Sequence, residues 1–314
     1  MKSNYNYGSL GPFIDLSLLD WADGYPGVFS GGSSGVSSLE VEIGFGTGEY
    51  LAAMGAANPG VNFIGFEQCP TRIIKTLRKL HQAGVVNTRV LRIDAVWGFR
   101  FLLAPGTLDR VHCLFPCPWP KKKHIKHRLF QPAFLRLVRS RLKANGTLRI
   151  VTDHQPYAQW IGEGLEATGF SLQRRTIGAV HGTKFEKKWQ EGGQELFDEL
   201  TLTADQPYEF SPVEVLPVKI YFSKGFDPDR MVLEGVKGLI TVSFPEYLFD
   251  PKRNAGMVHA IVSEDNRMQH VWVGIERTAK GWCVAPAAGT AILPTEGVQK
   301  AVEIVFQAVE RSQK

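Results

Sequence analysis

Leu39-Glu40-Val41-Glu42-Ile43-Gly44-Phe45-Gly46-Thr47-Gly48-Glu49-Tyr50-Leu51-Ala52-Ala53 is the stretch on which the fold turns. Its first five residues read as a short strand, three glycines follow at alternate positions, and Glu49 to Ala53 suits the opening of a helix. Glycines there permit positive φ and let the backbone approach a ligand closely at a helix N-terminus. The spacing is not that of a dinucleotide-binding turn, G-x-G-x-x-G, because position 49 is Glu. The lysine of a phosphate-binding P-loop is missing too.

Outward from this turn, β-branched or apolar runs alternate with helix-period segments. Strands are expected at Leu39–Ile43, Val61–Phe66, Thr88–Ile93, Arg110–Leu114, Thr147–Val151, Phe170–Thr176 and Glu195–Thr203. That pattern specifies an open α/β sheet of seven, mostly parallel, strands over residues 39–204. Phe130, Phe134, Leu137, Val138 and Leu142 recur at helical spacing, so a helix buries that stripe and turns its arginines outward. Residues 1–38 are Gly/Ser-rich and read as a loosely packed lead-in. Beyond Gln206-Pro207, over 205–314, strands at Val213–Phe222, Leu239–Ser243, Met257–Val262 and His270–Glu276 and a helix at Thr295–Arg311 predict a small α+β appendage, with Trp272 and Trp282 in its core.

The chain has 314 residues, 44% hydrophobic and 21% charged, which excludes disorder and fibrous classes for the whole. No apolar run approaches membrane-spanning length and Met1 to Tyr7 is polar, so a cytoplasmic protein without membrane contact is expected. Four cysteines without a C-x-x-C spacing predict free thiols. His112 and Cys113 are adjacent on a strand and point to opposite faces, so no metal site is expected.

The net charge of +5 is unevenly spread: 24 basic against 17 acidic residues up to 204, and 12 against 14 beyond. Between Asp109 and Asp153 there is no acidic residue, while Arg110, Lys121, Lys122, Lys123, Lys126, Arg128, Arg136, Arg139, Arg141, Lys143 and Arg149 fall inside that interval. Such a run suits a phosphate backbone, or else a solvated helix face.

Glu42, Glu67 and Asp94 each close a strand, so three carboxylates point into the crevice where open α/β sheets bind ligands. Glu67, nineteen residues after Gly48, is placed to accept from ribose hydroxyls, and Asp94 from an exocyclic amine. The fourth strand runs into Phe115-Pro116-Cys117-Pro118-Trp119-Pro120-Lys121-Lys122-Lys123-His124-Ile125-Lys126-His127-Arg128, an extended segment with a ring for stacking and cations for phosphates. Thr152-Asp153-His154-Gln155-Pro156-Tyr157 and Thr183-Lys184-Phe185-Glu186 adjoin other strand ends. His124, His127 and His154 either touch phosphate or are simply exposed.

The acidic residue before Gly44, Gly46 and Gly48 resembles the first motif of Rossmann-like methyltransferases that use S-adenosylmethionine. With the proline-tryptophan-lysine segment, Thr152-Asp153 with Tyr157, and Thr183 to Glu186, the chain from about Leu39 to Thr203 resembles the bacterial single-chain tRNA (guanine-N7)-methyltransferases. The resemblance implies N7-methylation of guanine in the tRNA variable loop. It implies that Glu42, the three glycines, Glu67, Asp94 and position 117 hold S-adenosylmethionine. Lys121, Asp153, Thr183, Lys184, Phe185 and Glu186 would then contact the target nucleotide, and Lys122, Lys123, His124, Lys126 and Arg128 the tRNA backbone. Cys117 stands where the family pattern has an aspartate with cofactor- and substrate-positioning roles; with Asp153 it is the catalytic candidate. A Pro-Cys pair also resembles cytosine-C5 methyltransferases, in which the thiolate adds to the pyrimidine. A third reading is a tRNA-binding protein with weakened turnover.

Overall fold

A computed structural model describes residues 11–19, 38–182, 186, 191–193, 196–208, 215, 217–265 and 267–313. The chain divides into two compact units, Met1–Ile14 with Gly27–Val213, and Asp15–Pro26 with Glu214–Lys314.

The first unit holds β1 (Phe13–Ile14), β2 (Ser38–Ile43), β3 (Val61–Glu67), β4 (Thr88–Arg92), β5 (Leu108–Leu114), β6 (Leu142–Thr152), β7 (Ser171–Gly178) and β8 (Leu196–Thr203). They form one sheet in the order β1-β4-β3-β2-β5-β6-β8-β7. All pairs are parallel except those of β8, which runs antiparallel to both β6 and β7. The seven expected strands are present. An eighth, β1, lies in the stretch expected to be a loose lead-in: the open edge of β4 accepts it, Phe13 pairing with Val90.

Helices α1 (Glu49–Ala57), α2 (Pro70–Gln82), α3 (Ala95–Trp97, continued by a π turn over Gly98–Leu102), α4 (Pro132–Arg141) and α5 (Gln155–Glu163) fill the crossovers. α2 shows why: Pro70 starts it where no N–H is needed, Ile73, Thr76, Leu77 and Leu80 bury one face, and Lys79 and His81 sit in the last turn against the dipole. α4 departs from expectation. Its apolar stripe is buried, but its arginines are not turned outward: Arg136 and Arg139 are half-buried and Arg141 fully buried. The Arg141 guanidinium donates to the carbonyls of Phe99 (2.8 Å) and Arg100 (3.3 Å), satisfying acceptors in the π turn.

The second unit is an antiparallel sheet in the order β10-β11-β12-β13-β9, built from β9 (Tyr221–Ser223), β10 (Thr241–Asp250), β11 (Ala255–Glu264), β12 (Arg267–Thr278) and β13 (Gly281–Pro286). Helix α6 (Glu296–Ser312), capped by Thr295, lays Val298, Ala301, Val302, Val305 and Val309 into a core with Val258, Ala260, Val262, Val271, Val273 and Ile275. Trp282 joins this core beneath Phe226; Trp272 does not, because its even position on β12 points to the opposite face. Strand β13 was not expected, and the strand expected over 213–222 is confined, among the described residues, to β9. No described helix is long and apolar enough to cross a membrane.

Candidate active site

The crevice lies at the C-terminal ends of β2, β3 and β4. After β2 the backbone turns through Gly44 (φ 69°), Gly46 (φ 57°) and Gly48 (φ 77°), a path that L side chains rarely follow. Gly44 N donates to the Phe66 carbonyl (2.8 Å) and Gly46 N to Glu67 Oε2 (3.1 Å), which ties the turn to β3. The glycines divide their work. A Cβ on Gly48 would stand 2.4 Å from Thr76 on α2, whereas one on Gly44 would meet nothing within 4 Å. Gly48 closes the packing; Gly44 and Gly46 leave a cradle.

Glu42 is 3% exposed, and its Oε2 is buried without a hydrogen-bond partner. Burial, then the charges of Glu49 and Glu67, push its pKa up to about 8. Glu67 is differently employed: Oε1 accepts from Gln68 N (2.9 Å) and Cys69 N (3.0 Å), and Oε2 faces Arg72 as well as Gly46. Asp94 caps α3 through Val96 N (3.0 Å) and accepts from Gln68 Nε2 (3.1 Å). Hydrogen bonds thus link the glycine turn, Glu67, Gln68 and Asp94 in one chain.

The facing wall is the segment after β5. Phe115 (φ 57°) and Trp119 (φ 44°) are non-glycine residues in the left-handed region. Cys117 and Lys121 are exposed, and Lys122–His127 makes a 3₁₀ turn that exposes Lys122, Lys123 and Lys126. The rings of Trp119, His124 and His127 pack together with centroids 5.2–5.9 Å apart. Arg128 closes the segment from within. Only 7% exposed, it donates from Nε to the Pro118 carbonyl (2.9 Å) and lies over the rings of Tyr157 (5.1 Å) and Trp160 (4.8 Å) on α5. Arg128 thus faces a carbonyl and two π faces rather than open solvent, unlike its exposed neighbours Lys122, Lys123 and Lys126.

Asp153 follows β6, half-buried, at the start of α5. His154 has a structural task, since its Nδ1 accepts from Tyr157 N (3.1 Å) and caps α5. Thr183, Lys184 and Phe185 lie outside the described residues. Glu186 is 1% exposed, and its carboxylate accepts from Val180 N and His181 N (both 3.0 Å), fastening the loop after β7.

The basic run divides by environment. Arg110 pairs with Glu40, Lys143 with Asp109 and Arg149 with Glu199. With Arg128 and Arg141 buried, the exposed cations of the run, apart from the paired Arg110, gather at Lys121, Lys122, Lys123 and Lys126.

One polar constellation was not anticipated. On the sheet face beside α1, His112 Nε2 lies 2.8 Å from Glu40 Oε2, and the Tyr50 hydroxyl 3.2 Å from His112 Nδ1. Burial holds the His112 pKa below the usual imidazole value, against the pull of Glu40, so the neutral ring bridges the two. Arg149 bonds Glu199 and His181, and Arg175 also bonds Glu199. Tyr50, His112, Arg149, Arg175, His181 and Glu199 line a hollow of about 570 Å³. The signal was available: Glu40, Arg110, His112, Thr147, Arg149, Glu199 and Thr201 occupy alternate positions on four strands.

A sheet of this order with an antiparallel β8, a glycine turn after β2 and carboxylates closing the next strands defines a Rossmann-like methyltransferase. Residues 37–199 match a family described as a putative methyltransferase. The tRNA (guanine-N(7)-)-methyltransferase of Aquifex aeolicus is 28% identical over 280 residues, 87% of this chain and 94% of that protein. That of Thermus thermophilus is 29% identical over 276 residues, covering 87% and 89%. That of Chlorobium phaeobacteroides is 39% identical over 154 residues, covering 49% and 76%. The chain belongs to the tRNA (guanine-N7)-methyltransferase family. The first two alignments are longer than the first unit and extend into the second.

Proposed function

We infer that this chain transfers the methyl group of S-adenosylmethionine to N7 of a guanine in the tRNA variable loop, as a cytoplasmic enzyme. The observation that carries the reading is Glu42: a buried carboxylate with an unpartnered oxygen beside an open glycine cradle fits a donor-rich ligand and has no use in its absence. S-adenosylmethionine, when bound, supplies an electrophilic methyl group on a sulfonium.

Glu42 accepts from the cofactor's polar groups, with Gly44, Gly46 and Gly48 giving the backbone room. Glu67 acts partly through the turn it braces, and Asp94 completes the row. Guanine N7 offers a lone pair and carries no proton, so the chain's task is alignment rather than proton removal. Lys121, Asp153, Thr183, Lys184, Phe185 and Glu186 are the candidates to hold the nucleotide, the Glu186 carboxylate being fastened to Val180 N and His181 N. Lys122, Lys123, His124 and Lys126 are the candidates for the tRNA backbone. Cys117 lacks the anionic oxygens of a carboxylate, so the positioning role passes to Asp153 and the reaction slows without stopping.

The test is incubation with labelled S-adenosylmethionine and unmodified tRNA, followed by digestion and mass identification of the nucleoside. N7-methylguanosine is the expected product. 5-Methylcytidine would instead make Cys117 a nucleophile, and no methylated base would leave an RNA-binding protein.

A further inference from the structure

The two faces of the second unit's sheet are unlike. One is closed by α6. The other carries, at alternate positions of β11 and β12, Met257, His259 and Ile261 beside Met268, His270 and Trp272. His259 and Trp272 are direct partners in register, their rings 4.9 Å apart and 22° from parallel. The His270 ring lies 5.3 Å from His259 at 26°. Met257 is 40% exposed and Met268 60%, with Leu248 on β10 at 51%. His259 Nε2 and His270 Nδ1 also meet at 3.1 Å, and none of these rings contributes to the core, whose β11 and β12 side chains point the other way.

Antiparallel pairing also sorts the charge. The β10–β11 turn, with Lys252 and Arg253, and the β12–β13 turn, with Lys280, fall at one end of the sheet, joined by Lys224 after β9, while Arg277 lies over the Trp282 ring on the core face. Lys224, Lys252, Arg253 and Lys280 are exposed. Asp250 and Glu276 answer them only in part, Arg253 standing 3.7 Å from Asp250. Glu296, Glu303 and Glu310 lie along α6 instead. The unit's slight negative balance therefore hides a cationic end beside an aromatic face.

We propose that this face is a stacking platform for unpaired bases of the RNA substrate, with phosphates held at the cationic end. Flat rings that accept any base, next to cations that follow a backbone, are how proteins hold single-stranded nucleic acid. A purely apolar partner would leave the cations unmatched. The proposal rests on tRNA being the substrate.

The test uses the full chain with His259→Ala and Trp272→Ala together. Both side chains are off the core face, so the melting midpoint stays close to wild type. Affinity for tRNA at fixed salt, and KM for tRNA, worsen about tenfold, while kcat and S-adenosylmethionine affinity hold. Trp272→Phe keeps a π face and retains most of the affinity. Unchanged tRNA affinity in the double variant overturns the platform, as does loss of self-association without loss of RNA binding, which would mark a contact between copies. A chain that forms no N7-methylguanosine defeats the functional reading and the platform's occupant with it; one whose double variant methylates with wild-type KM defeats the platform alone.

Discussion

The two walls of the crevice are built by opposite means. The glycine wall is backbone throughout: positive φ at three glycines, an amide bonded to the neighbouring strand, another to the Glu67 carboxylate, and Gly48 packed on Thr76. The proline wall has only a 3₁₀ turn, and it carries Phe115 and Trp119 in a region that costs non-glycine residues about 1–3 kcal/mol each. Phe115 N bonds the Val151 carbonyl and the rings of Trp119, His124 and His127 pack together, but what joins it to α5 is Arg128, bridging Pro118 to the Tyr157 and Trp160 rings. The glycine wall is stiff by construction. The proline wall owes its link to α5 to a side chain ten residues downstream of Pro118.

The comparison breaks first at Glu42. Glu42→Gln should weaken S-adenosylmethionine binding about 10- to 100-fold by calorimetry, the range for a hydrogen bond to a charged group. It should also raise the thermal stability of the empty chain in alkaline buffer. The sign follows from the raised pKa: folded Glu42 keeps a proton that the unfolded chain releases near 4.5, so its stability contribution is whole below that value and is lost as pH rises toward about 8. Glutamine suffers no such loss. Melting curves for the two proteins should meet in acid and part in mild base; parallel curves would show that Glu42 ionises at its ordinary pKa.

Arg128→Ala sharpens the contrast between the walls. Turnover on tRNA should drop about tenfold, as expected when a positioning contact worth a charge-assisted hydrogen bond is removed, with S-adenosylmethionine affinity unchanged. Arg128→Lys should recover little, since an ammonium cannot lie flat across two rings while donating to Pro118. Equal losses in turnover and cofactor affinity would mean the walls are not independent. Gly48→Ala should cost about 1–3 kcal/mol of stability by denaturant titration, from backbone strain and the Thr76 clash together. Thr76→Ala in the same chain should return part of it. The smallest effect per side chain is electrostatic. Replacing Lys121, Lys122, Lys123 and Lys126 by Ala should reduce the slope of log affinity for tRNA against log salt by about 3, roughly 0.7–0.9 per phosphate contact. An unaltered slope would place the phosphates elsewhere.

Features written in neighbouring residues were legible in the sequence. The Glu42–Gly48 turn, the seven strands and the carboxylates at strand ends are local patterns, and the structure has them at the expected residues. What escaped was set by partners far along the chain. Arg141 is buried because carbonyls about forty residues away need donors, and Arg128 because α5 offers rings; a count of charges reads both as surface. Trp272 and Trp282 look alike in sequence, but register sends one outward and one into the core. His112 meets Glu40 across seventy-two positions, a pairing that only the parallel β2–β5 ladder creates.

The place of β8 bears on how the polypeptide is made. It is the last strand of its sheet to be synthesised, yet it lies inside, between β6 and β7, which do not touch each other in the ladder without it. A nascent chain that has emerged only through β7 leaves the hydrogen-bonding edge of β6 open, with β7 unplaced. Such an edge is a template for pairing with other chains, and closing it late adds long-range contacts that slow folding. Translation pausing between residues 178 and 196 would prolong the interval in which the half-built sheet can aggregate.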